Sequence, residues 1–277
     1  MKVGFIGTGT MGTLLIESFI RSGALCPEQV IASNRSMNKV NRLAGLYPGL
    51  SPANSNREVA EQSDIIFLCV RPLVFKTVID EIKDSALPGQ IIISITSPVL
   101  LRHLETALPS KIAKAIPSIT NSMLSGSMLC VYGERMTSED KEMLDRLFAY
   151  IAKPVRIQET HTRAASDLSS CGPAFLAYFV QKLAEAATEV SGLPKEEATR
   201  LVSEMVLGTG KLLTEGEYTP ESLLDRVALP GGIIEAGLHL MERELDTVFL
   251  PLLRATYRKY NEDVEKIDSM FFGKIVD

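Results

Sequence analysis

Along this 277-residue chain the spacing of apolar positions changes character about half-way. In the first half, short apolar runs alternate with amphipathic stretches. Residues 2–7 read as a buried strand. Residues 11–21 follow as a helix, with Met11, Leu14, Leu15 and Phe19 at helical spacing on one face. Further strands are predicted over 29–33, 64–70, 90–94, 111–117 and near 128–132, and helices over 37–45, 74–83 and 138–151. Such alternation predicts an α/β fold that begins as a Rossmann-type, doubly wound, mostly parallel sheet with helices on both faces. Past about residue 160 the strand signal ends. A helical pattern over 162–191, broken at Gly172 and Pro173, is followed by helices over 195–213, 219–227, 232–245 and 247–267. Their broad apolar faces suit an all-α domain that also packs against another chain. The expected domains are 1–160 and 161–277.

Composition narrows the function classes. A hydrophobic content of 45% and a charged content of 23% are ordinary for a globular protein. The 29 basic and 34 acidic residues give a net charge of −5, and no run of five Lys or Arg occurs, so nucleic acid is not an expected partner. Cys26, Cys69, Cys130 and Cys171 are scattered, without a CxxC or a Cys/His cluster, so neither disulfides nor a metal site is expected. With no signal peptide and no apolar run approaching 18 residues, the expected location is cytoplasmic, with no membrane contact.

The first chemical motif is Gly7-Thr8-Gly9-Thr10-Met11-Gly12, a GxGxxG between the first strand and the first helix. The first glycine permits the tight turn, the second lets a pyrophosphate approach the backbone, and the third lets helix and strand pack closely. The helix N-terminus adds unpaired N–H donors and a partial positive charge. An NAD-preferring site carries Asp or Glu where the second strand ends. Here stand Ser33, Asn34, Arg35 and Ser36, with no acid and with a guanidinium able to hold a 2′-phosphate. The expected cofactor is NADP(H), in preference to NAD(H). By contrast, Gly208-Thr209-Gly210-Lys211 lies inside a helical pattern, which argues against a phosphate loop there.

Several further segments occur in a telling order: Asn56; Cys69-Val70-Arg71-Pro72; Ile119-Thr120-Asn121; Ser169-Ser170-Cys171-Gly172-Pro173-Ala174-Phe175; and Pro230-Gly231-Gly232. Together with the glycine turn they resemble the pyrroline-5-carboxylate reductase family over nearly the whole chain. The resemblance implies hydride transfer from NADPH to a cyclic imine, giving L-proline. It also implies a homodimer interlocked through the C-terminal helices, or a larger ring. By position, Asn56 with Ser33, Asn34 and Arg35 would meet the adenosine 2′-phosphate. Val70, Arg71, Pro72 and Asn121 would line the nicotinamide side. Gly172, Pro173 and Ala174 would floor the pocket, and the Gly231 and Gly232 amides would receive the substrate carboxylate.

The sequence departs from the family pattern where chemistry is closest. Ile233 and Ile234 stand where the family usually has two threonines. Losing two hydrogen bonds to a charged group, each worth roughly 1.5–3 kcal/mol, costs on the order of a hundredfold in transition-state stabilisation. Ser169, Ser170, Cys171 or an ordered water become the candidate proton donors to the imine nitrogen. With Ser97-Pro98 and Ile116-Pro117-Ser118, these departures resemble a paralogous branch, the late competence proteins of the ComER type. An alternative therefore accompanies the reductase reading: a weakened reductase that binds NADP(H) and serves a regulatory or other role. A hydroxyacid dehydrogenase is disfavoured, because residues 168–181 contain no lysine to serve as its catalytic base. His103, His161 and His239 lie far apart and read as structural or solvated.

Overall fold

The computed structural model describes residues 1–245 and 247–273. Two compact units emerge: one runs from Met1 to Cys171 and includes the chain from Thr256 on, and the other spans Gly172–Ala255. The compact units part at Cys171, beyond the domain boundary expected at residue 160, and the part of the last helix from Thr256 on belongs to the first unit. The physical reason is visible in that helix, whose far end carries a fully buried Ile267 and the ion pairs described below.

In the first unit the strands are β1 (Val3–Ile6), β2 (Val30–Ser33), β3 (Ser51–Pro52), β4 (Ile65–Leu68), β5 (Ile91–Ser94), β6 (Lys111–Ile116), β7 (Ser127–Tyr132) and β8 (Lys153–Arg156). They form one sheet in the order β3-β2-β1-β4-β5-β6-β7-β8. Every pairing is parallel except β6 with β7. The helices are α1 (Thr10–Arg21), α2 (Met37–Leu46), α3 (Asn56–Gln62), α4 (Phe75–Ile82), α5 (Leu101–Ala107), α6 (Ser138–Ala149) and α7 (Thr162–Ser166). Leu15, Phe19, Val40, Leu43, Leu147 and Phe148 from α1, α2 and α6 cover one face of the sheet. Val59, Phe75, Ile79 and Leu104 from α3, α4 and α5 cover the other, and Ile267 joins them. Between neighbouring strands, Phe5 and Phe67 stack with ring centroids 4.9 Å apart.

The elements that sequence periodicity missed are short. β3 has two residues, and α3 and α5 have seven each, too few for a period to emerge. β8 contains Pro154 and two basic residues; it is an edge strand, where a missing N–H is tolerated. The helix break expected at Gly172-Pro173 is instead a π turn over Asp167–Cys171, which leads directly into the next helix.

That helix, α8 (Gly172–Ser191), opens the second unit, followed by α9 (Lys195–Thr214), α10 (Pro220–Val227), α11 (Ile233–Leu245) and the start of α12 (Phe249–Phe272). Gly208 to Lys211 lie within α9. Among the described residues of this unit only Ala184 and Ala198 are fully buried, while Leu176, Phe179, Leu183, Leu201 and Met205 are exposed. So much uncovered apolar surface marks an interaction face. No helix among the described residues is long and apolar enough to cross a membrane.

Within the first unit α12 is held to α5 by His103, a buried structural histidine. Its Nδ1 accepts from the Leu100 amide at 2.9 Å, so Nε2 carries the proton it shares with Asp268 at 2.6 Å. Arg102 also reaches Asp268, at 2.6 Å. Burial lowers the His103 pKa below its ordinary value, against the opposing pull of Asp268. The unfolded chain therefore binds more protons just below about pH 6.5, and stability falls as pH drops from there toward the folded value. Urea unfolding at pH 7.5 and pH 5.5 checks this: the wild-type protein should lose stability at the lower pH, and His103→Gln should flatten the loss. An equal slope in both proteins would remove His103 as the cause.

Candidate dinucleotide cradle and active site

Because β1, β2, β4, β5 and β6 are parallel, the loops after them open on one edge of the sheet. The strand order reverses direction between β1 and β4, and ligands of such sheets sit at that crevice. Gly7 to Gly12, Ser33 to Ser36, Val70 to Pro72, and Ser118 to Asn121 all follow strands at this edge. The three turn glycines differ in their surroundings. Gly7 has φ +102, and a Cβ there would lie 2.6 Å from the Cys69 carbonyl oxygen. A Cβ at Gly12 would lie 2.0 Å from the Gly7 oxygen. At Gly9 it would meet nothing within 4 Å. Two glycines are thus required by close packing, and the middle one faces open space. No side chain caps α1 at its N-terminus among the described residues. Its first amides are left for an anion, as a dinucleotide pyrophosphate requires. A groove of about 470 Å³ opens beside the turn, walled by Thr8, Thr10, the outer face of α1, and Lys39 and Arg42 of α2. The residues present fit a nicotinamide dinucleotide.

The loop after β2 is tied to this turn. Asn34 Oδ1 accepts from the Thr8 amide at 3.2 Å, and its Nδ2 donates to the Ser36 carbonyl at 3.1 Å. Arg35 is exposed at the loop tip. Ser33 Oγ donates to Asn56 Oδ1 at 2.6 Å, which brings together two residues 23 apart in sequence. Val70 and Pro72 are half-buried after β4, and Arg71 is exposed. Beneath the turn, burial pushes the Cys69 thiol up, which keeps it protonated. The same effect raises Cys130 to about 12.

Asn121 reaches the same edge, but its side chain turns inward. It is fully buried; Oδ1 accepts from the Ser118 amide at 2.8 Å and Nδ2 donates to the Ser125 carbonyl at 2.9 Å. Both ends of its side-chain amide thus hold the loop after β6 in shape. Ser118 Oγ then donates to the Ser169 carbonyl at 2.9 Å, which fastens the π turn to the sheet edge. π turns recur at functional sites, because the extra residue re-aims neighbouring side chains.

Within the π turn, Ser169 Oγ donates to the Ala165 carbonyl at 2.8 Å, so its proton is already engaged. Ser170 Oγ lies 3.5 Å from it. Cys171 Sγ accepts from Arg163 Nη2 at 3.2 Å. Arg163 is itself clamped by buried Asp167, with Nη2–Oδ1 at 2.6 Å, and Thr256 Oγ1 donates to the other carboxylate oxygen at 2.7 Å. Lys114 is fully buried on β6 and donates to the Ser97 carbonyl and to Glu159 Oε1, each at 2.9 Å. Sequence reasoning missed the roles of Arg163, Asp167, Lys114 and Glu159. A lysine in the apolar run Lys111–Ile116 was the one signal available.

In the second unit Gly172, Pro173 and Ala174 open α8, and Gly231 and Gly232 form the turn before Ile233 and Ile234 of α11. Gly231 has φ +73, which favours glycine. Its amide donates to Glu235 Oε2 at 2.7 Å, and the Gly232 amide donates to the Leu229 carbonyl at 2.9 Å. Both donors expected to receive a substrate carboxylate are therefore engaged within the turn. Ile233 is 95% exposed.

Comparison with known proteins agrees with this arrangement at both ends of the chain. The family model described as pyrroline-5-carboxylate reductase dimerisation matches residues 159–263, and that described as NADP oxidoreductase, coenzyme F420-dependent, matches residues 2–98. ComE operon protein 4 of Bacillus subtilis (strain 168) is 36% identical over 98% of this chain and 99% of its own length. Pyrroline-5-carboxylate reductase 3 of the same organism is 30% identical, covering 96% of this chain and 98% of the relative. The crystal structure of Plasmodium falciparum pyrroline carboxylate reductase with NADP bound superposes with a TM-score of 0.81 at 25% identity, over 99% of this chain and 98% of that one. With the glycine turn at the sheet edge, the helical second unit and full-length similarity in agreement, the chain belongs to the pyrroline-5-carboxylate reductase family.

Proposed function

We propose that this protein is an NADPH-dependent imine reductase of 1-pyrroline-5-carboxylate, working in the cytoplasm as a homodimer joined through its C-terminal helices. The carrying observation is the turn at Gly9: bare amides and open space at the switch point of the sheet, beside a β2 terminus that offers Arg35 and no acid. When bound, the reduced nicotinamide supplies hydride to the imine carbon. The chain's part is to orient both molecules and to give the imine nitrogen a proton. Ser170 suits that last task, because among the described residues its hydroxyl, unlike that of Ser169, reaches no backbone carbonyl and has only the Ser169 oxygen, at 3.5 Å. The exposed apolar faces of the second unit support dimerisation. Steady-state NADPH oxidation with pyrroline-5-carboxylate tests the reading; folded, cofactor-binding protein that gives no turnover above background would sink it.

A second reading, a weakened reductase that binds NADP(H) and acts as a regulator, is favoured by one observation. The Gly231 amide is already taken by the Glu235 carboxylate, beside two isoleucines in place of the family's threonines. On that reading, Ile233→Thr with Ile234→Thr should raise reductase turnover by about a hundredfold. An unchanged rate would dismiss catalytic decay.

A further inference from the structure

The acid missing from the end of β2 stands one residue further out. Asn56, whose Oδ1 accepts from Ser33 Oγ, donates through Nδ2 to Glu81 Oε2 at 2.5 Å. Three elements meet there: Ser33 closes β2, Asn56 opens α3, and Glu81 lies near the end of α4. The carboxylate dictates which way the amide faces. An ionised carboxylate only accepts, so Asn56 must turn its NH₂ to Glu81 and its carbonyl oxygen to Ser33. That carbonyl also only accepts, so the Ser33 hydroxyl hydrogen points at Asn56 and away from a ligand. Ser33 is 2% exposed, so its Oγ can offer a ligand at this edge no more than a lone pair. A lone pair at this place suits the 2′-hydroxyl of an NAD ribose, which can donate to it. It opposes a 2′-phosphate, which needs donors.

We propose that Glu81 sets the dinucleotide preference of this protein by relaying its acceptor character through Asn56 to Ser33, so that NADH is accepted alongside NADPH. The inference rests on the reading of the glycine turn as a dinucleotide cradle. Arg35 draws the 2′-phosphate, and Glu81 works against it from the other side. A glutamine at position 81 can turn either its carbonyl or its NH₂ toward Asn56. The Asn56 amide is then free to reverse, and Ser33 becomes a donor.

Dissociation constants of NADPH and NADH, read from nicotinamide fluorescence on the full chain, test the relay. Glu81→Gln should raise the preference for NADPH over NADH by about tenfold, mainly by tightening NADPH. In a Ser33→Ala background the same substitution should shift that ratio by less than about twofold, because no hydroxyl remains to be reoriented. A merely structural role for Glu81 would weaken both nucleotides alike and leave the ratio unchanged, and that result overturns the proposal. A full shift persisting without the Ser33 hydroxyl overturns it too, since the charge would then act directly. If the wild-type protein binds neither nucleotide, the cradle reading falls as well; tight binding with an unchanged ratio removes only the role of Glu81.

Discussion

Replacing Gly9 with alanine is expected to leave the protein folded and to weaken NADPH binding by about a hundredfold or more. The two halves of that expectation come from one place. Gly9 has φ −76 and ψ −166, an extended conformation that alanine adopts without strain, and its added methyl would meet no protein atom within 4 Å. The methyl instead enters the space through which a pyrophosphate must approach the bare amides of α1, and it holds the phosphates away from them. Thermal unfolding should move by no more than a surface substitution normally does, within about 0.5 kcal/mol. Gly12→Ala is the contrasting control. Its methyl would lie 2.0 Å from the Gly7 oxygen, so the turn itself must shift, and both stability and binding should fall. If Gly9→Ala binds NADPH as the wild-type protein does, the turn is not the cradle.

Glu159→Ala is expected to destabilise the first unit by about 3–5 kcal/mol, the cost of leaving a buried charge without its partner. Lys114 is fully buried on β6, and its Nζ has two acceptors, Glu159 Oε1 and the Ser97 carbonyl. Burial lowers the Lys114 pKa, and Glu159 pulls it back toward its ordinary value. Without the carboxylate the ammonium must either stay charged in an apolar setting or give up its proton. The Leu101 amide, which donates to the same oxygen at 2.9 Å, loses its acceptor as well. At 2–4 °C for each kcal/mol, the melting temperature should fall on the order of 10 °C. Lys114→Met combined with Glu159→Leu removes both charges and should restore much of the loss. A melting temperature unmoved by Glu159→Ala would show that the pair contributes nothing. Because Lys114 also holds the Ser97 carbonyl after β5, the same variant should loosen one wall of the sheet edge on which the cofactor is proposed to lie.

Much of this protein was determined by the sequence alone. The period of its apolar positions fixed the parallel α/β first half and the helical second half, because each element's buried face repeats within a window of a few residues. The glycine turn was legible for the same reason: the φ of +102 at Gly7 and the approach of Gly12 to the Gly7 oxygen are demands set within the turn itself. Elements under two turns long, such as α3 and α5, gave no period to read.

The tertiary structure alone decided which distant side chains meet. Asn56 and Glu81 are 25 residues apart, Lys114 and Glu159 are 45 apart, and His103 and Asp268 are 165 apart. Nothing in a local window distinguishes a carboxylate that solvates a helix from one that completes such a pair. The same holds for α12, whose amphipathic pattern predicted a helix but not the return of its part from Thr256 on to the first unit, and for Asn121, whose buried amide bonds Ser118 and Ser125. Helix and strand formation answer to neighbours along the chain. The orientation of a hydrogen bond and the charge of a buried group answer to whatever packing brings within 3 Å.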